Sequence, residues 1–252
     1  MNVRRLGPLL GGLLFLSLWS ILASRAPAVL LPSPLEVLDS AVGARKDLLL
    51  ATWMTARAAL TGLAVASALG LLGGILFLGS RWLEAAFYPY ALLVQTTPIV
   101  AIAPLLVVWL GYGLAVAVAT ATIAAFFPVL TAADVGLRAT EPEQLELLRL
   151  YGAGFGSTLW KLRLPAALPY LFAGLRTAAG LSVIGAIVGE FVGSNGLPPS
   201  LGYLVLRAAR TAETGLSVAA VLCASALSLL LHATVRLVER RVIGRWHAGG
   251  TG

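Results

Sequence analysis

Long apolar runs alternate with short polar gaps along this chain, and the runs set its plan. Six are long enough to cross a hydrocarbon core of roughly 30 Å as helices. They cover about Leu6–Ala23, Ala58–Leu78, Tyr88–Leu110, Leu114–Ala133, Tyr170–Val192 and Leu216–Leu237. The first run also resembles a signal peptide, with Arg4 and Arg5 ahead of it and Ala26-Pro-Ala28 behind. Its length exceeds the usual core of about 7–15 residues, which favours an uncleaved anchor; cleavage would leave five spans. Two longer polar connections stand out. Residues 26–56 contain a predicted short interfacial helix over Leu35–Ala41, and residues 194–215 carry Pro198-Pro199 and the charges Arg207, Arg210 and Glu213. No repeat, low-complexity tract or soluble domain interrupts the pattern, so the chain reads as one membrane domain.

Composition strengthens this reading. Of 252 residues, 59% are hydrophobic and 12% charged, whereas soluble domains carry about a quarter charged residues. The net charge of +7 does not point to nucleic acid, because the basic residues flank apolar runs instead of forming a face with exposed aromatics. Their placement gives an orientation. With the N-terminus inside, Arg4, Arg5, Arg81, Arg138, Arg149, Lys161, Arg163, Arg176, Arg236, Arg240, Arg241 and Arg245 fall on or near the cytoplasmic side. Arg25, Arg45, Lys46, Arg57, Arg207 and Arg210 fall outside. Both termini are then cytoplasmic, and so is the polar gap near residue 146.

That gap has local structure of its own. Thr140-Glu-Pro-Glu143 reads as a capping box, with Pro142 tolerated in a first turn. Leu145 and Leu148 share one helix face, with Glu146 and Arg149 on the neighbouring polar side. Gly152 is placed to end the helix at positive φ. Ser157 is placed to cap a second short helix carrying Trp160, Lys161 and Arg163, which Leu164-Pro165 should stop.

The same stretch, Glu146-Leu-Leu-Arg-Leu-Tyr-Gly152, then nine residues and Leu162-Arg-Leu164-Pro165, resembles the EAA loop of ABC-transporter permeases. Leu147 and Leu148 replace the two alanines of that pattern, and Leu162 replaces its isoleucine. Further segments resemble the nitrate, sulfonate and taurine subgroup. These are Ala103-Pro104-Leu105-Leu106, Trp109-Leu-Gly111-Tyr-Gly113, Phe126-Phe127-Pro128, Leu164-Pro165-Ala-Ala-Leu168-Pro169-Tyr170, Ala173-Gly174-Leu175-Arg176, Val188-Gly189-Glu190-Phe191-Val192-Gly193 and Leu201-Gly202-Tyr203-Leu204. Glu239-Arg240-Arg241 with Trp246 resembles the family's tail, and Leu197-Pro-Pro-Ser200 looks inserted. The subgroup's members carry different solutes, and the Val-Gly-Glu-Phe-Val-Gly stretch leans toward the pyrimidine-precursor type.

The resemblance implies an all-α, type I ABC importer permease of about six transmembrane helices, filling residues 1–252, with a coupling loop over about 134–165. It implies ATPase coupling through Glu146, Leu147, Leu148, Tyr151, Gly152, Trp160, Leu162, Leu164 and Pro165. Expected partners are a second permease copy, two ATPase subunits, an extracytoplasmic solute-binding protein and the lipid bilayer of the plasma (inner) membrane. No cofactor is expected on this chain; ATP and Mg belong to the partner ATPase.

Candidate solute-path residues are fewer. Glu190 is a carboxylate inside a predicted span: a pathway or gate residue, or a group at the external mouth that is hydrated or paired with an arginine such as Arg207. Gln95, Thr96 and Thr97 beside Pro98 either line a path or satisfy carbonyls that the proline frees. The pairs Gly70 and Gly74, and Gly185 and Gly189, suit close helix packing. His232 reads as a core or interface residue, since no metal-ligand partner lies near it. Catalysis is not expected. Gly152-Ala-Gly154-Phe-Gly156-Ser157 lacks the lysine of a phosphate-binding loop, no nucleophile elbow is present, and Cys223 is the only cysteine. The alternative to a permease is a passive channel or scaffold, which would have no need of the Glu146–Pro165 loop.

Overall fold

The computed structural model describes residues 3–27, 29–196 and 199–247. Ala28 and the Leu197-Pro198 part of the apparent insertion therefore lie outside the described residues, as do the side chains of Arg4, Arg5, Arg245, Trp246 and His247. The helices in chain order are α1 (Val3–Arg25), α2 (Pro34–Gly43), α3 (Arg45–Gly79), α4 (Arg81–Thr96), α5 (Ile99–Leu110) and α6 (Leu114–Arg138). Then follow α7 (Pro142–Leu150), α8 (Phe155–Thr158), a π turn (Leu159–Arg163), α9 (Leu164–Gly193), α10 (Leu201–Arg210) and α11 (Thr214–His247). No strand occurs among the described residues.

Four helical stretches are each long and apolar enough to cross a membrane: Arg45–Gly79, Leu114–Arg138, Phe155–Gly193 and Thr214–Ile243. The third predicted span is not one straight helix. Tyr88–Leu110 is broken between α4 and α5, whose axes bend by 101°. Pro98 lacks an amide donor and restricts Thr97 before it, which is extended at φ −74° and ψ 126°. Counted as one span, this pair makes five. The predicted first span falls within α1, whose described apolar part, Leu10–Arg25, is shorter than the four and than the roughly 20 residues a crossing needs.

The core is a three-helix sandwich in which α6 lies between α3 and α9. Small residues set the spacing. A Cβ placed on Gly62 or Gly74 of α3 would come within 2.4 or 2.6 Å of the methyl groups of Ala121 or Ala133 on α6. From the other side, a Cβ on Gly189 of α9 would come within 2.2 Å of Thr120 Oγ1. The Gly70/Gly74 and Gly185/Gly189 pairs thus pack helices within this chain. The buried centre is rich in alanine, with Ala58, Ala59, Ala66, Ala121, Ala125, Ala178 and Ala186 fully enclosed.

The predicted interfacial helix is present as α2. Ser33 caps it, accepting from the Glu36 amide at 3.3 Å while Glu36 Oε2 accepts from the Ser33 amide at 2.7 Å. α10 was not legible as a helix in the polar 194–215 connection. It is strongly amphipathic, burying Leu201, Leu204 and Ala208 against Val37, Leu48, Leu216 and Ala220.

Candidate functional site

The polar 141–165 segment forms a two-part knob beyond the ends of α6 and α9. Its first part, α7, does not start with the predicted capping box. A residue before proline is pushed out of the helical region, and Glu141 is extended at φ −61° and ψ 137°, making it the N-cap. Thr140 therefore sits one residue too early, buried, with its hydroxyl unpartnered among the described residues. The end of α7 does follow the sequence. Gly152 has φ +73°, the Gly152 amide bonds Arg149 O at 2.9 Å, and the Ala153 amide bonds Leu148 O at 3.0 Å. This is a Schellman closure, in which a left-handed residue satisfies the last carbonyls of the helix.

The second part departs from expectation. Ser157 lies inside α8 and caps nothing; Gly154 is the N-cap. Pro165 does not stop the helix either. The π turn ends with the Leu164 amide bonded to Leu159 O, a one-residue slip in hydrogen-bond register just ahead of the residue that lacks a donor. The helix then continues, so that Phe155–Gly193 is one stretch of 39 residues.

The knob is bolted to the body at its base. Leu159 and Leu164 pack with Leu137, Ala133, Ala167 and Leu171. Arg163 Nη1 donates to Leu137 O at 2.9 Å. One residue on, Arg138 donates to Asp134 at 2.8 Å and to Glu84 of α4 at 2.7 Å. The same α6 terminus therefore holds both the knob and the start of the broken α4–α5 pair.

At the opposite end of α9, Glu190 is only 6% exposed. Its Oε2 accepts from Thr55 Oγ1 at 3.0 Å and from the Gly202 amide at 2.9 Å, while Thr55 Oγ1 accepts from the Leu201 amide at 3.0 Å. Glu190 and Thr55 thus satisfy the first amides of α10, groups that a helix leaves without internal partners. Glu190 makes no ion pair with Arg207, which is exposed. It also lines a cavity of about 240 Å³ with Met54, Arg57, Gly113 and Ser200.

Residues 62–244 match the family described as binding-protein-dependent transport system inner membrane component. The chain belongs to that family. It is 35% identical to a probable ABC transporter permease protein of Haemophilus influenzae, over 96% of this chain and 99% of that protein. It is 34% identical to the formylaminopyrimidine transport permease of Halalkalibacterium halodurans over 82% of each chain. It is 35% identical to the riboflavin transport system permease of Chloroflexus aurantiacus, over 94% of this chain and 88% of that one. The fold matches a chain of the methionine ABC transporter MetNI in inward-facing conformations. That match has a TM-score of 0.61 and 20% identity over 76% of this chain and 95% of that one. The chain is a multi-pass inner-membrane permease subunit of an ABC importer. It is not an enzyme, and the ATPase is a separate subunit.

Within the permease, the predicted site residues separate into two sets. Glu146, Leu147, Tyr151, Gly152 and Trp160 are exposed on the knob, Tyr151 at 82% and Trp160 at 72%. Leu148, Leu162, Leu164 and Pro165 are half-buried and belong to its underside. Sequence reasoning missed Leu150 (85% exposed) and Phe155 at the tip, and the anchors Leu159 and Arg163. A signal existed for the anchors: Leu159 and Arg163 are four apart, on one helical face. Gln95, Thr96 and Thr97 are exposed at the α4–α5 break and are not brought to Glu190. The Thr96 and Thr97 hydroxyls both turn back to Leu93 O, at 3.1 and 2.7 Å, a carbonyl that also accepts from the Thr97 amide at 3.0 Å and is not the one Pro98 frees. His232 is exposed, not in the core. No group of three metal-ligating side chains occurs among the described residues.

Proposed function

We propose that this permease imports a small solute delivered by an extracytoplasmic binding protein, and that the 141–165 knob couples it to its ATPase. The observation that carries the proposal is the knob's construction. Leu147, Leu150, Tyr151, Phe155 and Trp160 are exposed apolar side chains, and Glu146 lies among them on a base fixed by Leu159 and Arg163. Large apolar side chains held in water by a stiff, glycine-closed turn suit a protein groove better than solvent. Glu146 supplies charge to that contact, Tyr151 and Trp160 its anchors, and Gly152 its shape. Leu162, Leu164 and Pro165 hold the knob in register with α9.

In this reading residues 1–252 form one membrane domain with both termini in the cytoplasm, and two copies pair with two ATPase subunits. The positive-inside distribution supports the orientation, and twofold pairing is the commonest solution for identical subunits. For the solute we favour a pyrimidine-type precursor. The formylaminopyrimidine and riboflavin permeases are 34% and 35% identical, against 30% for a sulfonate permease and 27% for a taurine permease, and the Val188–Gly193 stretch leans to the pyrimidine type. Gln95, Thr96 and Thr97 at the helix break are the better path candidates, because Glu190 is committed to α10.

The test is Glu146→Arg in proteoliposomes containing permease, ATPase and binding protein. The variant should insert and fold yet lose solute-stimulated ATP hydrolysis and uptake, while Glu213→Gln at the other end should keep both. Normal transport by Glu146→Arg would reject the coupling assignment. Native mass spectrometry of the assembly reads the copy number, and reporter fusions at residue 150 and near the C-terminus read the orientation.

A further inference from the structure

Arg176 on α9 and Arg236, Glu239 and Arg240 on α11 line one cavity of about 340 Å³, with Ile243 at its edge. Arg176 Nη1 donates to Glu239 Oε2, so the cavity's carboxylate is already engaged. Arg236 and Arg240, four apart on one face, have no ion-pair partner among the described residues. Ile243 also edges a second cavity of about 400 Å³, which adds Lys161. Three cations and one paired acid thus line a single cavity between α9 and α11, and Lys161 lines the neighbouring one.

Depth identifies the occupant. Arg236 lies 22 residues along α11 from Thr214, about 33 Å at a rise of roughly 1.5 Å per residue. That equals the roughly 30 Å hydrocarbon thickness and puts its guanidinium in the headgroup layer. Trp160 lies 16 residues further out than Arg176 along the rod, about 24 Å by the same rise, so a protein docked on the knob would sit beyond the cavity. On α11 the exposed stripe runs Leu229, Ala233, Arg236, Arg240, apolar on the bilayer side and basic at its edge. Guanidinium forks match phosphate oxygens in pairs, and basic pockets between spans at the cytoplasmic side suit anionic lipid headgroups.

We infer that this cleft binds the phosphodiester headgroup of an anionic glycerophospholipid, with Arg236 and Arg240 on the phosphate and the acyl chains along Leu229 and Ala233. The leaflet, the inner one, rests on the orientation proposed above; the binding itself does not.

The test is lipid titration of the full importer assembly in detergent, read by native mass spectrometry. Phosphatidylglycerol and phosphatidylcholine with the same acyl chains are compared. Phosphatidylglycerol should bind about tenfold tighter or more. Arg236→Gln with Arg240→Gln should bring it down to the phosphatidylcholine level, while Arg207→Gln with Arg210→Gln should leave the preference intact. Glycerol 3-phosphate at millimolar concentration should not displace the lipid. Equal binding of the two lipids, a preference that survives the Arg236/Arg240 double variant, or displacement by glycerol 3-phosphate would each overturn the assignment. Should the double variant fail to fold, the two single variants and the preference of the unchanged chain decide. Glu146→Arg should keep the lipid preference, so failure of the coupling proposal would be read separately.

Discussion

Glu190 Oε2 lies 2.9 Å from the amide of Gly202 and serves as a cap for α10 from a different helix. The carboxylate stands in for the side chain that would ordinarily satisfy a helix's first turn, and Thr55 does the same for Leu201 at 3.0 Å. Replacing Glu190 with alanine would leave the Gly202 amide and the Thr55 hydroxyl without this acceptor. Each buried unsatisfied group costs about 1–3 kcal/mol, so Glu190→Ala should be destabilised by about 3 kcal/mol. Glu190→Gln keeps an acceptor oxygen and should lose about 1 kcal/mol. Thermal unfolding in detergent should rank the native chain above Gln and Gln above Ala. Uptake by the Gln variant should persist, since capping needs an acceptor and not a charge; loss of uptake in a stable Gln variant would return Glu190 to the solute path.

At Gly152 the expected outcome is loss of function with the fold kept. The φ of +73° is strained for a β-branched residue, while a Cβ there meets nothing within 4 Å. Gly152→Val should therefore open the Schellman closure without disturbing the membrane helices. Helical circular dichroism and detergent elution should match the native protein, and stimulated ATP hydrolysis should fall at least tenfold. Gly152→Asn, a residue that tolerates the left-handed region, should retain most of it.

Two glycines of α9 should respond in opposite ways. A Cβ on Gly189 would come within 2.7 Å of the Ala117 Cα, a backbone atom that cannot swing aside. Gly189→Val should separate α6 from α9 and abolish stable expression. At Gly180 the nearest atom to a Cβ is Ser228 Oγ at 3.5 Å, so Gly180→Ala should be accepted and, with better helix propensity, slightly stabilising. Fluorescence-detected size exclusion of both variants checks the pair.

Ala212, just past α10, has φ +59°, which costs a residue with a Cβ roughly 1–2 kcal/mol. Ala212→Gly should raise the unfolding midpoint, and a drop would show that the turn is held by something other than its backbone.

What could be read in advance followed the range of the interactions. The helix end at Gly152 depends on neighbours within four residues, and the sequence carries that signal. The start of α7 was misplaced because Pro142 acts backwards on Glu141, so the N-cap falls one residue beyond Thr140. Thr97-Pro98 was legible as a polar notch, but a 101° bend depends on how α4 and α5 are held against α6 and α9. The role of Glu190 was beyond reach for a similar reason: its partner Thr55 is 135 residues away, and no periodicity pairs them. The anchors Leu159 and Arg163 were obscured by the expectation that Pro165 ends a helix, when a π turn absorbs the missing donor.

That π turn acts as a splice. Without it Pro165 would be a universal joint, free to swivel, and a twist applied at Trp160 would dissipate there. With it, the helix continues past Pro165 and Pro169, which both lack donors, to Gly193, about 58 Å at roughly 1.5 Å per residue over the 39-residue stretch. On the coupling proposed above, a rotation imposed on the knob should reach the far end as torque on Glu190, and through Glu190 on the first turn of α10.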